Sequence, residues 1–234
     1  MHGFQRTTLI MLLLASVFCV SSSFANLQPH QYQVELIVFS HINAKGLNSE
    51  YWPAYTPIAL NNSKIISLSS SNNTVPGNAF TLLPKNEFRL NREAERIASR
   101  PGYKLLLHIA WRQTFTNPAP TEFIHLYGGN TYTNSNNTAN NWQLNGILSI
   151  SVNRYFNVNF NLNLAEPANQ IQRFLNRDNQ NNVLNHFAYF RFSQSRRMRS
   201  NELNYFGHPL YGIIMKISKV PTPAVTQTVP TQMG

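Results

Sequence analysis

From Tyr32 to Ser40 the side chains alternate with a period of two, and both faces are largely apolar: Tyr32, Val34, Leu36 and Val38 oppose Gln33, Glu35, Ile37 and Phe39. The pattern predicts a strand covered on two sides. Asn91–Arg100 has helical spacing instead. Ala94, Ile97 and Ala98 share one face, Asn91 is placed to cap the start, and Glu93, Arg96 and Arg100 match the helix dipole. Pro101–Gly102 stops this helix, and the apolar run Tyr103–Trp111 follows as the expected central strand. Strand, helix, strand in that order predicts a helix packed on one face of a sheet.

Glu122–Tyr127 is a further predicted strand, ended by Gly128–Gly129, with a polar loop over Asn130–Asn141. Trp142–Val152 and Phe156–Leu164 then form a hairpin. In its second arm Phe156, Val158, Phe160, Leu162 and Leu164 alternate with Asn157, Asn159, Asn161 and Asn163. Pairing Val152 with Phe156, Ile150 with Val158 and Leu148 with Phe160 keeps the apolar set on one face. Asn153, Arg154 and Tyr155 must then make the turn, because a one-residue slip would bury the asparagines. Phe187–Met198 and Leu210–Ser218 complete the strands. The stretch from His41 to Pro84 reads as mostly irregular surface, with the Ser/Asn tract Ser67–Thr74 inside it, and Glu166–Asn185 fits either a helical turn or a loop. The fold class expected is α+β: a mostly antiparallel β-sheet with one or two short helices packed on it and long Asn/Ser-rich loops.

The amino terminus changes the setting. Arg6 precedes an apolar run from Leu9 to Val20, and Ser23 and Ala25 are the small residues before a cut at Asn26, so residues 1–25 are expected to be a secretory signal peptide. At about 12 residues the run is shorter than a membrane span requires, and no later stretch is long and apolar enough, so no transmembrane segment is expected in the mature chain. Residues 26–219 then form a single domain and 220–234, rich in Pro, Thr and Val, a flexible tail. Removing the leader removes Cys19, the one cysteine, which argues against thiolate catalysis, disulfides and thiolate metal sites together. The periplasm is the expected compartment.

Candidate chemistry is sparse. Asp178 is the one aspartate, no G-x-S-x-G turn presents a serine, and Glu35, Glu122, Glu166 and Glu202 are scattered rather than paired. No two histidines lie three or four residues apart, and no glycine-rich phosphate loop is present. No enzyme, metal or cofactor is expected.

Charge supplies the positive signal. The chain carries 19 Lys+Arg against 9 Asp+Glu, and four arginines stand within nine residues, Arg191–Arg199, of the carboxyl-terminal block. Written as a strand, Tyr189, Arg191, Ser193, Ser195, Arg197 and Arg199 fall on one side and Phe190, Phe192, Gln194, Arg196 and Met198 on the other. Guanidinium groups match carboxylate and phosphate in bidentate fashion. The block is therefore either an anion-binding surface or a solvated face with local Arg–Glu pairs, Glu202 being near. Nucleic acid fits the charge but is seldom met outside the cytosol, and an anionic membrane would call for a basic amphipathic helix that is missing. Peptidoglycan fits compartment and composition: its stem peptides carry carboxylates, and its sugars suit Asn, Tyr and Trp, with Trp52 and Trp142 as candidate stacking residues and Trp111, in the central strand, fitting the core better than that role.

Three segments carry a resemblance. Tyr32–Phe39, Tyr103–Gln113 and above all Ser195–Gly212, with its R-R-M-R-S, E-L and H-P-L-Y-G elements, resemble the CsiV family of periplasmic proteins of gammaproteobacteria. That resemblance implies peptidoglycan binding with a part in cell-wall synthesis and cell shape. The family pattern usually carries Gly, His and Asp where this chain has Asn201, Asn204 and Gly207, which favours a structural role for the motif here. The combined expectation is a non-enzymatic wall-binding protein in which Arg191, Arg196, Arg197 and Arg199 contact carboxylates and Tyr189, Tyr205 and Trp142 lie near sugars. The alternative is an envelope scaffold holding a partner protein through the same arginines; a cell-wall hydrolase using Glu35 or Glu202 ranks below both.

Overall fold

The computed structural model describes residues 30–60, 65–68, 80–116, 119–133, 140–178, 183–184 and 186–221. The expected leader, the tail beyond residue 221 and most of the Ser/Asn tract lie outside them. Eleven strands are described among these residues: β1 (His30–Ser40), β2 (Ile65–Leu68), β3 (Phe80–Leu82), β4 (Lys104–Phe115), β5 (Ala119–Thr133), β6 (Asn140–Val152), β7 (Phe156–Pro167), β8 (Val183–Leu184), β9 (Phe187–Met198), β10 (Leu203–Gly207) and β11 (Tyr211–Lys219). Three short helices accompany them, α1 (Ala44–Leu47), α2 (Asn91–Ala98) and α3 (Ala168–Ile171).

The architecture is α+β and mostly antiparallel with short helices, as expected, and its strands are divided between two sheets. The first has the order β10-β11-β1-β4-β3, the second β2-β5-β6-β7-β9-β8, and every pairing is antiparallel except β2 with β5. Val34, Leu36 and Val38 of β1 share a core with Leu148 and Ile150 of β6, Phe160 and Leu162 of β7 and Phe190 of β9. The two sheets therefore pack face to face, as period-two alternation on both sides of the interface requires. Each of these side chains, 0–1% exposed, contributes about 1.5–3 kcal/mol by leaving water.

The opposite face of the first sheet meets α2, where Ile37 and Phe39 pack on Leu90 and Ala94. Strand, helix, strand does place a helix on a sheet, as the sequence predicts. Two details differ. Leu90, not Asn91, occupies the cap position, and Asn91 instead donates to the carbonyls of Lys85 and Phe88. Ala98, the last helical residue, is exposed, while Ile97 beside it packs against the Ile37–Phe39 cluster.

The β6–β7 hairpin has the expected register: Val152 pairs with Phe156, Ile150 with Val158 and Leu148 with Phe160. Asn153, Arg154 and Tyr155 form the turn, with the Asn153 N–H donating to the Tyr155 carbonyl at 3.1 Å.

Gly128–Gly129 does not end β5. The strand runs on to Thr133 through a register shift, so part of the segment expected to be a loop is strand, and residues 134–139 lie outside the described ones. The glycines serve close approach. A Cβ on Gly128 would stand 2.5 Å from the Leu106 carbonyl of the facing sheet, and Gly129 has φ +75°, in the left-handed region. The long segment before Pro84 is less irregular than expected, since it contains α1, β2 and β3. β10, not anticipated from sequence, forms the edge of the first sheet.

Candidate functional site

β7 and β9 build the face that points away from the core. Leu162 and Phe160 turn inward, so Asn157, Asn159, Asn161 and Asn163 turn outward, and register sets Asn157 beside Arg197, Asn159 beside Ser195, Asn161 beside Ser193 and Asn163 beside Arg191. β6 adds Asn145, Ile147, Ser149 and Ser151 in the same rows, and β5 adds Phe123, His125 and Tyr127. None of these outward positions is acidic. Neighbours hold several of the side chains in place: Arg191 Nε donates to Asn161 Oδ1 at 3.1 Å, and His125 Nε2 lies 2.7 Å from Asn145 Oδ1. Rings frame the amides. Tyr189 stacks on Tyr55 at 4.0 Å, and Trp142 contacts Tyr127 at 5.1 Å.

The arginines part company. Arg191 is half-buried on the outer face, and Arg197 and Arg199 are exposed. Both lie over the Tyr155 ring, at 4.7 and 5.8 Å, with Arg154 at 5.7 Å. Arg199 approaches Glu202 at 3.9 Å, an exposed pair that contributes little. Arg196 turns to the other side. It donates to the Tyr205 carbonyl at 2.8 Å and covers the Phe206 ring at 4.8 Å, tying β9 of one sheet to β10 of the other. Tyr205 is 52% exposed, at the far side of that seam. Trp52, offered by sequence as a stacking residue, is buried, donating to the Leu47 carbonyl and packing on Phe190; Trp111 lies in the core, as its central strand favours, and donates to Gln113.

Glu35 is also not available for chemistry on a ligand. It is 2% exposed, its two oxygens accept the N–H groups of Arg89 and Leu90, and His108 lies against it.

A cavity of about 540 Å³ opens at one end of the two sheets. Glu166 of β7 and Gln143 of β6, 8% and 2% exposed, reach it together. Lys104 Nζ donates to Gln143 Oε1 at 2.7 Å, the Asn130 N–H donates to the same oxygen, and Gln143 Nε2 donates to Glu166 Oε1 at 2.6 Å. Burial raises the Glu166 pKa, with Gln143 and Lys104 opposing, and the Tyr132 hydroxyl is pushed up to about 12 by burial and then by Glu166, with the Asn130 side chain opposing. Glu166 was legible in sequence only as one scattered carboxylate. Lys104, Gln143 and Tyr132 carried no signal, since three strands bring them together.

Among the described residues no group of three or more His, Cys, Asp or Glu is arranged to hold a metal ion, and no helix is long and apolar enough to cross a membrane.

The family model described as "Peptidoglycan-binding protein, CsiV" matches residues 8–220, nearly the whole chain. The chain belongs to the CsiV family. In this CsiV-family chain the motif that carried the resemblance builds the junction of the two sheets. His208 Nδ1 accepts the Leu210 N–H at 3.2 Å, the His208 N–H donates to the Tyr211 carbonyl at 3.0 Å, and the ring lies between Trp52 and Tyr211. Burial lowers the His208 pKa to about 4, only partly opposed by the Arg191 backbone and reinforced by His41. The Tyr211 side chain is fully buried, and its hydroxyl reaches toward the carbonyls of Leu162 and Phe190 at 3.5 Å across the interface. Asn201 has φ +67°, a conformation open to Gly and Asn alike, so Asn fits this turn as Gly would.

No curated protein matches this CsiV-family chain. Among solved structures, the type II secretin GspD of enteropathogenic Escherichia coli is similar over 91% of this chain and 74% of that one, at 9% identity and a TM-score of 0.32.

Proposed function

We propose that this protein is a non-enzymatic, periplasmic peptidoglycan-binding protein that supports cell-wall synthesis and cell shape. We assign binding to the outer face of the second sheet. The observation that carries this reading is the alignment of Asn157, Asn159 and Asn161 with Arg191 and Arg197 on one outer face, with no acid at its outward positions among the described residues, framed by Tyr189 and Trp142. Sugar hydroxyls both donate and accept, as carboxamides do. Stem-peptide carboxylates pair with guanidinium. Aromatic rings offer apolar faces to the pyranose C–H groups. Family membership supports the ligand class, and the sequence pattern of residues 1–25, read as a secretory leader, supports the compartment.

Co-sedimentation with purified sacculi tests the reading. At about 0.3 M salt, where exposed charges are screened beyond a few ångströms, the protein is expected to pellet with the sacculi, and muropeptide profiles afterwards are expected to show no new products. Retention no greater than that of an unrelated basic protein would count against it.

A second reading, an envelope scaffold for a partner protein, draws on β10. Leu203 and Tyr205 there are 53% and 52% exposed, beside a groove that also takes in Arg96 and Arg100 of the α2 region. Cross-linking through Tyr205 in cells to a single protein adduct, together with loss of sacculus retention, would favour the scaffold.

A further inference from the structure

The end cavity holds two charges that do not satisfy each other directly. Gln143 stands between Lys104 and Glu166, its carbonyl toward the ammonium and its amide N–H toward the carboxylate. A carboxylate can accept about four hydrogen bonds and an ammonium donates three. Among the described residues Gln143 is the side chain that donates to Glu166, and Lys104 uses one donor on Gln143. Both groups therefore keep binding capacity directed at the cavity. They are also placed differently. Glu166 is buried, whereas Lys104 is exposed near the mouth. Ile42, Leu47, Ile171 and Phe174 add apolar wall, Phe174 being 42% exposed.

The volume lies within the usual range for small-ligand sites. An occupant complementary to these surfaces carries an ammonium for Glu166, a carboxylate within reach of Lys104 and a methylene stem along the apolar wall. A peptide-free glycan offers no ammonium and no methylene stem. The free diamino-acid end of a peptidoglycan stem peptide offers all three.

We propose that this cavity is a wall-binding subsite separate from the outer sheet face, taking the zwitterionic end of a stem peptide with its ammonium on Glu166 and a carboxylate on Lys104. The subsite rests on the wall-binding reading and says which part of the polymer enters the molecule.

Calorimetric titration with three soluble probes tests it: a disaccharide–peptide fragment with its free amine, the same fragment acetylated on that amine, and peptide-free glycan chains. The free-amine fragment is expected to bind the full mature chain. Acetylation, Glu166→Gln and Lys104→Gln are each expected to weaken it about tenfold, the scale of one charge-assisted hydrogen bond lost. Glycan chains are expected to bind the variants and the unaltered protein alike. Because Lys104 lies at the exposed rim, Lys104→Gln reports on binding even where Glu166→Gln lowers stability.

Equal binding of acetylated and free-amine fragments would overturn the subsite, as would full affinity in both variants. Binding of glycan chains with no gain from the peptide would remove the subsite and leave the outer face standing. Failure of all three probes to bind the unaltered protein would remove both readings.

Discussion

Glu35 Oε1 lies 2.9 Å from His108 Nε2, and the same carboxylate accepts the N–H groups of Arg89 and Leu90 where the chain enters α2. One buried side chain thus joins β1, β4 and the helix. Such a group loses most of its hydration on folding and is retained because every oxygen finds a donor. An amide keeps the volume but offers one acceptor oxygen. Glu35→Gln is expected to destabilise the protein by about 1–3 kcal/mol, read as a lower midpoint in chemical denaturation. Sacculus retention of the folded fraction should not change, which separates this anchor from a catalytic acid.

His208 makes stability depend on pH. Its folded pKa is lowered to about 4 from the ordinary 6.5. Between those values the unfolded chain binds the proton and the folded chain does not, so stability is complete above about pH 6.5 and falls as the pH drops toward 4. The loss should reach on the order of 2–3 kcal/mol. Thermal unfolding at pH 4.5 and 7 measures it, and His208→Asn, which keeps an acceptor for the Leu210 N–H, should flatten this part of the profile.

Asn201 occupies a left-handed turn between β9 and β10, with its N–H donating to the Ile217 carbonyl at 2.7 Å. Asn201→Gly is expected to leave stability within about 0.5 kcal/mol, whereas Asn201→Val should cost about 1–2 kcal/mol, because a Cβ branch is disfavoured at positive φ. Equal melting temperatures for the two variants would contradict the assignment of this position to backbone conformation.

The arginines should separate by role. Replacing the exposed Arg197 with Gln is expected to lower sacculus retention several-fold at unchanged melting temperature. Arg196→Gln should do the reverse. It removes a hydrogen bond to the Tyr205 carbonyl and a contact over Phe206, worth about 1–2 kcal/mol together, from the seam between the sheets.

Alternation along the chain determined a good deal. Period two assigns each side chain to a face, so the β6–β7 register, the outward row of asparagines and the split of the arginine block were all legible before any coordinates. The helical spacing around Ala94 likewise located α2 and its buried face. Periodicity does not say which sheet a strand joins, however, because both faces of a two-layer core present the same alternation. Only tertiary structure divided the strands into two sheets and carried β5 through its glycines, which read as a stop until Leu106 is seen standing against Gly128. Only tertiary structure turned Glu35 from a free acid into an anchor. And it alone gathered Lys104, Gln143 and Glu166 from three strands, since hydrogen bonds between distant side chains depend on how strands pack and leave no mark on local spacing.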